Sequence, residues 1–266
     1  MIVDVSVVVP CFDCEGTIRR SFESIMNQTK LPKEVIFVND CSGDSTLDVL
    51  LGIQTEYENS SVEIIILDLS FNSGPATARN IGWNKASSSY VAFLDSDDSW
   101  HHQKLAVQYN FMLESGAELT GHHVDIMTSS SIESTEYIVD SFKAKKITFN
   151  KLLFKNYFPT PTVMIKRNVS SRFPEGAYFA EDYELWLDVT FNKPSFLIPI
   201  SLCFLHKPAF GSSGLSSKMI EMEKGVHSVF RRLYNKNYIS RTKWILVVSF
   251  SYIKYLRRLF ISKTMK

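Results

Sequence analysis

Short apolar runs alternate with amphipathic segments along the first hundred residues. Runs of this length, rich in β-branched residues, indicate strands that are buried on both faces. They lie at residues 5–9, 35–38, 62–67 and 90–94. The segments between them predict helices, because Ile18, Phe22 and Ile25 recur at helical spacing and 75–85 is a further helical stretch. Strands separated by helices form βαβ units, so the pattern predicts an α/β fold whose Rossmann-like, mainly parallel sheet is flanked by helices.

The remainder of the chain is more polar, and its predicted elements are shorter. We predict helices at 103–113 and 181–188, a strand at 195–205, and Ser- or Gly-rich loops at 129–134 and 210–217. Asp44 or Ser45 is expected to cap the helix that leads to Leu51.

Charge is divided unevenly along a chain whose net charge is only +1. Residues 218–266 hold twelve Lys and Arg against two Glu, whereas the preceding 217 residues hold 17 Lys and Arg against 26 acids. An acidic body with a basic tail predicts an anionic surface as the partner of the tail. Nothing else in the chain has the form of a nucleic-acid-binding module.

The apolar stretch at 244–253 lies between basic residues of this tail. A membrane span needs about twenty residues, so a stretch of ten does not cross a bilayer. Its composition favours an amphipathic helix at an anionic lipid surface. The alternative is a C-terminal helix that docks on the core and exposes a solvated basic face.

The cysteines and the N-terminus bear on the cellular compartment. Four cysteines in 266 residues do not form a disulfide scaffold. Cys11 and Cys14 make a C-x-x-C, which could be redox-active or half of a zinc site, although no second C-x-x-C completes it. Asp4 interrupts the N-terminal apolar run, which indicates a strand and not a signal peptide, so we expect a cytoplasmic protein.

Polar residues follow each of the first four predicted strands. They are Asp13, Asp40, Asn72 with Gly74, and the group from Asp95 to Asp98. Ligands of an open parallel sheet bind beyond the carboxyl ends of its strands. Turns also use Asp, Asn and Gly, but four such loops in succession indicate one shared binding edge.

Asp95, Ser96 and Asp97 form a D-x-D at the end of the fourth strand. Mg²⁺ and Mn²⁺ commonly bind one or two carboxylates together with phosphate oxygens of a substrate. The motif therefore predicts a divalent-metal site for a nucleotide diphosphate, whose departing charge the metal neutralises. The alternative is that these carboxylates are solvated, with Asp98 or Ser99 capping the next helix.

Several stretches carry a resemblance to a known family in matching order. They are VSVVVPCFDCEGTIRRSFESIMNQ, VIFVNDCSGDST, NSGPATARNIGWNKA, YVAFLDSDDSW and FAEDYELWL. Together they resemble the successive blocks of family 2 glycosyltransferases with the GT-A fold, of the type that builds bacterial surface polysaccharides. The resemblance extends from about residue 5 to Trp186 and covers the tail poorly.

The resemblance implies a domain organisation and a reaction. A GT-A catalytic domain is expected over 1–217, with a nucleotide-binding half at 1–100 and an acceptor half at 101–217, followed by a basic helical extension at 218–266. The expected reaction is inverting and depends on Mn²⁺ or Mg²⁺. It moves a sugar from a nucleotide diphosphate, UDP by preference, to a hydroxyl of a glycan acceptor linked to polyprenyl diphosphate, at the inner face of the cytoplasmic membrane.

On the donor side, the resemblance assigns roles to residues of the first hundred positions. Asp40 would accept a hydrogen bond from the base, Arg79 would lie near the diphosphate, and Asp97 would bind the metal with Asp95 beside it. The full set of donor-side candidates is Pro10, Asp13, Glu15, Asp40, Asn72, Gly74, Arg79, Asp95, Ser96 and Lys207. The resemblance also implies that Pro10, Asp13 and Glu15 border the nucleotide base. The family often has Tyr-Asn where this chain has Phe12-Asp13, which makes that role weaker for Asp13.

Asp182 is the candidate base on the acceptor side. A carboxylate within reach can take the proton of the attacking hydroxyl, and attack opposite the leaving group inverts the anomeric carbon. The structural alternative is an acidic helix N-terminus that favours the helix dipole. Glu181, Trp186 and His123 are further acceptor-side candidates.

Two other functions compete with the transferase. FLDSDDS also fits the D-x-D-x-S of haloacid-dehalogenase-like phosphatases, although those place the motif on the first strand. A non-catalytic module that binds sugar nucleotides or glycans is the third possibility. A dinucleotide oxidoreductase is disfavoured because no G-x-G-x-x-G follows the first strand.

Overall fold

A computed structural model of the chain describes residues 1–127, 142–206 and 218–264. Lys207 and the loops predicted at 129–134 and 210–217 lie outside these ranges. The described residues form one nine-stranded mixed sheet with helices packed on both of its faces.

The first half of the sheet is parallel, as the sequence predicts. Its strands lie side by side in the order β3, β2, β1, β4. Their bounds are β1 (Ile2–Cys11), β2 (Leu31–Asn39), β3 (Glu63–Asp68) and β4 (Tyr90–Phe93). The crossover helices are α1 (Ile18–Met26), α2 (Thr46–Glu56) and α3 (Pro75–Lys85). All four strands therefore end at the same edge.

The second half of the sheet continues from β4 in the order β8, β6, β9, β5, and β7 pairs with β9. β8 is antiparallel to both of its neighbours, which makes the sheet mixed. The strands are β5 (Ser99–Trp100), β6 (Leu119–Ile126), β7 (Lys145–Ile147), β8 (Met164–Lys166) and β9 (Ser195–Leu205). The helices are α4 (Lys104–Ser115), α5 (Phe149–Leu152) and α6 (Glu181–Asn192), with a 3₁₀ turn at Thr160–Thr162.

Alternation along β1 explains why its sequence is an unbroken apolar run. Val7 and Val9 face α1, where Phe22 is fully buried, whereas Val8 faces α3 and the core beneath α6. Both faces of the strand are covered, so successive side chains are apolar without a polar position between them. This double burial holds α3 and its loop in place beside the strand ends.

The starts of two helices show how the polar loops are used. The N-cap residue of α2 is Ser45, whose side chain makes no capping hydrogen bond. Asp44 Oδ1, one residue earlier, accepts a hydrogen bond from the Thr46 amide at 3.0 Å. The expectation that Asp98 or Ser99 caps the next helix is wrong, because α4 begins only at Lys104. Ser99 instead pairs with β9 in the short strand β5, and this pairing extends the sheet.

The C-terminal extension consists of α7 (Met219–Asn235) and α8 (Arg241–Thr264), and it docks on the preceding part of the chain. Phe230 of α7 packs edge-on against Tyr183 of α6 with ring centroids 6.1 Å apart. On α8, Val247 is buried, and Ser251 Oγ donates to Glu223 Oε1 of α7 at 2.6 Å. One face of α8 is therefore docked on the body, as expected if the tail is a C-terminal helix packed on the core.

The opposite face of α8 carries apolar side chains that no described residue covers. Their exposed fractions range from 47% to 71%, and the residues are Ile245, Leu246, Tyr252, Ile253, Leu256 and Phe260. The helical repeat places them on the side away from Val247 and Ser251. No described helix combines the length and apolar character that crossing a bilayer requires. The helix is therefore docked along one face and apolar along another.

Close packing of α3 on the sheet predicts that Gly82→Ala destabilises the fold. A Cβ at Gly82 would lie 2.5 Å from Val8 Cγ1 and 3.1 Å from Val38 Cγ2. We expect the free energy of unfolding to fall by about 1–3 kcal/mol, the usual cost of overpacking a core, with an unchanged urea m-value.

The matched control for this prediction is Gly52→Ala in α2, where nothing lies within 4 Å of the added Cβ. There the better helix propensity of Ala should raise stability by about 0.5–1 kcal/mol. Equal effects of the two substitutions in urea denaturation would contradict the packing argument.

Candidate active site

A cleft of about 330 Å³ opens at the carboxyl edge of the parallel strands. It collects most of the donor-side residues that the sequence indicates. Those lining it are Pro10, Asp40, Asn72, Gly74, Arg79, Asp95 and Ser96, with Cys11, Phe12, Pro75, Ala78 and Tyr178 completing the wall. We refer to this space as the donor cleft. The residues that follow the parallel strands therefore lie together at one edge of the sheet, as the strand-end argument predicts.

Asp40 holds the loop between β3 and α3. Its Oδ1 accepts hydrogen bonds from the amide and hydroxyl of Ser73, both at 2.7 Å, and its Oδ2 accepts from the Gly74 amide at 2.8 Å. Gly74 has a φ of +82°, and a Cβ there would lie 2.9 Å from Tyr178 Cε1. The carboxylate thus shapes one wall of the cleft, and Oδ2 retains capacity for another donor.

Asp13 and Glu15 lie outside the lining of the donor cleft and bind the neighbouring loop instead. Asp13 Oδ1 accepts from the Gly43 amide and Glu15 Oε2 accepts from the Ser45 amide, each at 2.8 Å. Both side chains are exposed. In this structure they join the β1–α1 loop to the β2–α2 loop.

The D-x-D motif is held in a tight turn by α1. Ser21 Oγ donates to the carbonyls of Ser96 and Asp98 at 2.8 and 2.6 Å. Arg20 Nη2 donates to the Asp97 carbonyl at 2.7 Å. These bonds involve the backbone of the motif and so set the direction of its side chains without occupying the carboxylates.

Arg79 joins the D-x-D motif to the E-D pair of α6. Its Nη2 donates to Asp95 Oδ1 at 2.7 Å and its Nη1 donates to Glu181 Oε1 at 3.1 Å, and the side chain is only 8% exposed. Burial lowers the pKa of Arg79, but the carboxylates of Asp95 and Glu181 outweigh that effect and raise it. One buried cation therefore sits between two carboxylates.

Asp182, the next residue along α6, faces a second cleft of about 830 Å³ between α6, α7 and α8. Its Oδ1 accepts from the Tyr183 amide at 2.6 Å and its Oδ2 accepts from Asn156 Nδ2 at 3.3 Å. Burial, followed by the neighbouring Glu181 carboxylate, raises the pKa of Asp182 to about 7. We refer to this space as the α8 cleft.

A strained residue separates the two carboxylates from the preceding loop. Ala180 has a φ of +58°, a left-handed conformation that is uncommon for a residue with a Cβ. Such backbone is found preferentially at functional sites. Here it starts α6 abruptly, so that Glu181 is directed to the donor cleft through Arg79 and Asp182 to the α8 cleft.

Two acceptor-side candidates lie away from both clefts. Trp186 is fully buried in the core, where its ring packs 5.7 Å from that of Phe173, and it lines neither cleft. His123 is an exposed residue of β6 and also lines neither. The four-residue spacing places Trp186 on the same side of α6 as Asp182, but that side is covered by the core at Trp186.

The turn at the edge of the donor cleft has carboxylates that suit a divalent metal arriving with a diphosphate. Asp95 lines the cleft and offers Oδ2 beyond its bond to Arg79, whereas Asp97 is partly exposed on the same turn and is not among the lining residues. In the described ranges, no three His, Cys, Asp or Glu side chains group to hold a metal by themselves. One or two carboxylates suffice where phosphate oxygens supply other ligands, so the pair fits Mg²⁺ or Mn²⁺.

This mixed sheet, with a D-x-D at the donor edge and a carboxylate pair on α6, defines a glycosyltransferase of the GT-A fold. The profile of glycosyl transferase family 2 matches residues 6–172, more than half of the chain, so the chain belongs to that family. The match includes Asp95 and Asp97 and ends before Glu181. Family membership decides against the phosphatase and against the non-catalytic module.

Two curated bacterial relatives illustrate the sequence similarity. The chain is 33% identical over 186 residues to the Escherichia coli UDP-Glc:alpha-D-GlcNAc-diphosphoundecaprenol beta-1,3-glucosyltransferase WfgD, covering 70% of this chain and 69% of WfgD. It is 28% identical over 244 residues to the putative teichuronic acid biosynthesis glycosyltransferase TuaG of Bacillus subtilis, covering 91% and 93% of the two chains.

Two solved structures share the fold. TarS 1-349 of S. aureus in complex with UDP-GlcNAc aligns with a TM-score of 0.70 at 20% identity, over 97% of this chain and 73% of that one. The mannosyltransferase PcManGT of Pyrobaculum calidifontis, in complex with GDP-Man and Mn²⁺, aligns with a TM-score of 0.65 at 17% identity, over 87% and 64%. At these identities the likeness concerns the fold.

The buried bridge predicts a large cost for Arg79→Met. The substitution removes the cation from Glu181, which is 11% exposed, and from Asp95, which is 30% exposed at the cleft. Breaking a buried pair typically costs about 3–5 kcal/mol, and the exposure of Asp95 places the expected cost toward the lower end of that range. We expect a matching drop in the free energy of unfolding, measured by urea denaturation.

The control is Arg19→Met, which removes an exposed ion pair with Glu56 at 2.8 Å. Exposed pairs contribute about 0–1 kcal/mol, so this variant should unfold close to wild type. A cost for Arg79→Met as small as that of the control would show that the bridge is not a stabilising link.

Proposed function

We propose that this chain is an inverting, metal-dependent glycosyltransferase that moves a sugar from a UDP-sugar to a hydroxyl of a lipid-linked glycan in bacterial surface-polysaccharide synthesis. The observation that carries the proposal is the Arg79 bridge. It connects the D-x-D carboxylate of the donor cleft to the helix start that presents Asp182. Donor-side and acceptor-side groups of one reaction are thereby fixed relative to each other.

The names of relatives support the substrate classes. WfgD is named for transfer from UDP-Glc to a GlcNAc-diphosphoundecaprenol, and TuaG for teichuronic acid biosynthesis. TarS, which shares the fold, was solved with UDP-GlcNAc. These names favour UDP as the nucleotide and a polyprenyl-diphosphate-linked acceptor for this chain as well.

On the donor side, the nucleotide base binds against the loop that Asp40 holds at the donor cleft. The free capacity of Asp40 Oδ2 suits a base N–H donor, such as N3-H of uracil. Arg79 lies deeper in the cleft, near the expected position of the diphosphate, and orients Asp95 while its own charge is shared between Asp95 and Glu181. Asp97, with Asp95 beside it, would hold the Mn²⁺ or Mg²⁺, which when bound neutralises charge on the departing diphosphate.

On the acceptor side, Asp182 takes the proton of the attacking hydroxyl. Its pKa of about 7 makes it a stronger base than an ordinary aspartate and leaves much of it ionised at neutral pH. The Tyr183 amide and Asn156 fix the orientation of the carboxylate. Attack on the anomeric carbon from the side opposite the diphosphate gives inversion.

The outward face of α8 suits attachment to a membrane surface. Large apolar side chains such as Ile253 and Phe260 are 63% and 71% exposed, and Arg257 lies beside them. Exposed apolar residues flanked by cations are typical of helices that lie in an anionic lipid interface. We place the enzyme in the cytoplasm, peripherally bound to the inner face of the membrane, where a lipid-linked acceptor is available.

Metal-dependent nucleotide binding tests the donor site. UDP should raise the melting temperature of the full chain in the presence of Mn²⁺ but not in EDTA, because a ligand at about 100 times its Kd adds about 2.7 kcal/mol to stability. Asp97→Ala should abolish the shift.

Asp4→Ala provides the control for the donor site, because Asp4 is exposed near the start of β1, away from the strand ends that border the cleft. It should retain the full UDP shift. An Asp97→Ala protein that binds UDP and Mn²⁺ as wild type does would contradict the assignment of the metal site.

Asp182→Asn tests the base. We expect kcat for transfer to a lipid-linked acceptor to fall about 10²–10⁴-fold, the usual contribution of a positioned general base, while UDP-sugar affinity is retained. Because the carboxylate acts in its ionised form, the wild-type rate should rise with pH through a limb near 7, the pKa of Asp182.

Asp188→Asn is the matched control on the same helix, since Asp188 pairs with Lys236 at 2.7 Å, outside both clefts. Its turnover and pH profile should equal those of wild type. Normal turnover of Asp182→Asn would rule out this base.

A further inference from the structure

The α8 cleft is large and mostly apolar, with a basic rim. Its volume of about 830 Å³ exceeds that of the donor cleft. Aromatic and aliphatic side chains form much of its wall, namely Phe154, Met222, Val226, Phe230 and Phe250. An enclosed apolar surface of this size, beside the proposed base, suits a ligand with a hydrocarbon portion.

Four cations line the same cleft, and three of them have no carboxylate within ion-pair distance among the described residues. Arg258 is neutralised by Glu223, to which its Nη2 donates at 2.8 Å. The other three are Lys155, Lys254 and Arg257. Asp182 is the acidic residue of the lining, so the cleft carries an excess of positive charge beside its apolar wall. This combination complements an amphiphile with an anionic head.

Lys254 is positioned where such a head would bind. Its Nζ donates to the Phe154 carbonyl at 2.8 Å and lies 5.0 Å from the centre of the Phe250 ring. An ammonium has three donors, so others are available to a ligand. Burial, and to a smaller extent Arg258, lowers the pKa of Lys254. A bound anion would offset both effects.

A short segment connects this cation to the proposed base. The Phe154 carbonyl accepts from Lys254, and Asn156 Nδ2 donates to Asp182 Oδ2. Two residues of extended chain span at most about 7 Å, so the groups that hold the cation and the carboxylate are close neighbours on one wall of the α8 cleft.

We propose that the α8 cleft binds the diphosphate and first isoprene units of the lipid-linked acceptor. Lys254 and Arg257 bind the diphosphate, and the wall that includes Phe154 and Phe250 contacts the isoprene units. The sugar attached to the diphosphate then presents its hydroxyl to Asp182. This inference rests on the proposed function, and it makes α8 a part of the acceptor site.

Farnesyl diphosphate is a soluble probe for this site. We expect it to bind the full chain in EDTA, measured by isothermal titration calorimetry, at least roughly tenfold more tightly than farnesol or inorganic pyrophosphate, because each of those lacks one half of the recognised chemistry. Saturating UDP should not displace it. Displacement by UDP, or equal binding of pyrophosphate, would place the ligand elsewhere and overturn the proposal.

Matched charge variants locate the binding groups. The double variant Lys254→Gln, Arg257→Gln should weaken farnesyl diphosphate binding roughly tenfold or more, since hydrogen bonds to charged groups are among the strong ones. The control is Arg231→Gln, Arg241→Gln, which removes the same charge from exposed positions of α7 and α8 outside the cleft. It should bind the probe as wild type does. Equal affinities of the two double variants would overturn the assignment.

Two further measurements separate this proposal from the proposed function and from simple lipid attraction. The Lys254, Arg257 double variant should show a raised KM for a lipid-linked acceptor and an unchanged UDP–Mn²⁺ thermal shift. If the variant transferred sugar normally with an unchanged KM, the acceptor-site proposal would be wrong, while the proposed transferase function would stand. If the variant lost binding to phosphatidylglycerol vesicles but kept farnesyl diphosphate affinity, α8 would be a phospholipid contact and the proposal would fail.

Discussion

One buried guanidinium determines how the functional halves of this chain are joined. Asp95 follows β4 and Glu181 begins α6, and their negative charges would repel each other without the buried Arg79 between them. A single cation does not neutralise two carboxylates, so the bridge keeps a residual negative charge. In the proposed function, the divalent metal that would bind with the nucleotide would balance this charge.

The same bridge allows two adjacent acids to behave differently. Glu181 forms an ion pair with Arg79, whereas the Asp182 carboxylate faces the α8 cleft and contacts an amide, Asn156 and Thr160. Arg79 acts on Asp182 only as a weaker effect that lowers its pKa. Burial and the charge of Glu181 then raise the pKa of Asp182 to about 7. The left-handed conformation of Ala180 therefore lets the two adjacent acids point to different places, Glu181 to Arg79 and Asp182 to the α8 cleft. The helix dipole acts on both acids alike, so it does not explain why their environments differ.

Local patterns in the sequence predict the parallel half of the sheet and the position of the donor cleft, since buried strands and strand-end loops leave short-range signals at β1 and Asp40. Contacts between distant residues leave no such signal. Arg79 and Glu181 are 102 positions apart, and helical spacing does not reveal that the core covers Trp186. Asp13 and Glu15 were assigned to the base by resemblance, but their carboxylates bind amides of the adjacent loop, a role that depends on how two loops approach in space.

The uneven distribution of charge has a partly internal explanation. Arg232, Lys236 and Arg258 of the basic tail pair with Glu184, Asp188 and Glu223, so part of the positive charge fastens α7 and α8 to the acidic body and to each other. A partner outside the chain is needed only for the cations that remain, and these include Lys254 and Arg257 at the α8 cleft. Because the docked face of α8 positions these cations, the helix would lose its acceptor-side role if it were only a loose membrane anchor. The excess of cations in the tail thus serves two purposes: some attach the tail to the body, and the others are available to a ligand in the α8 cleft.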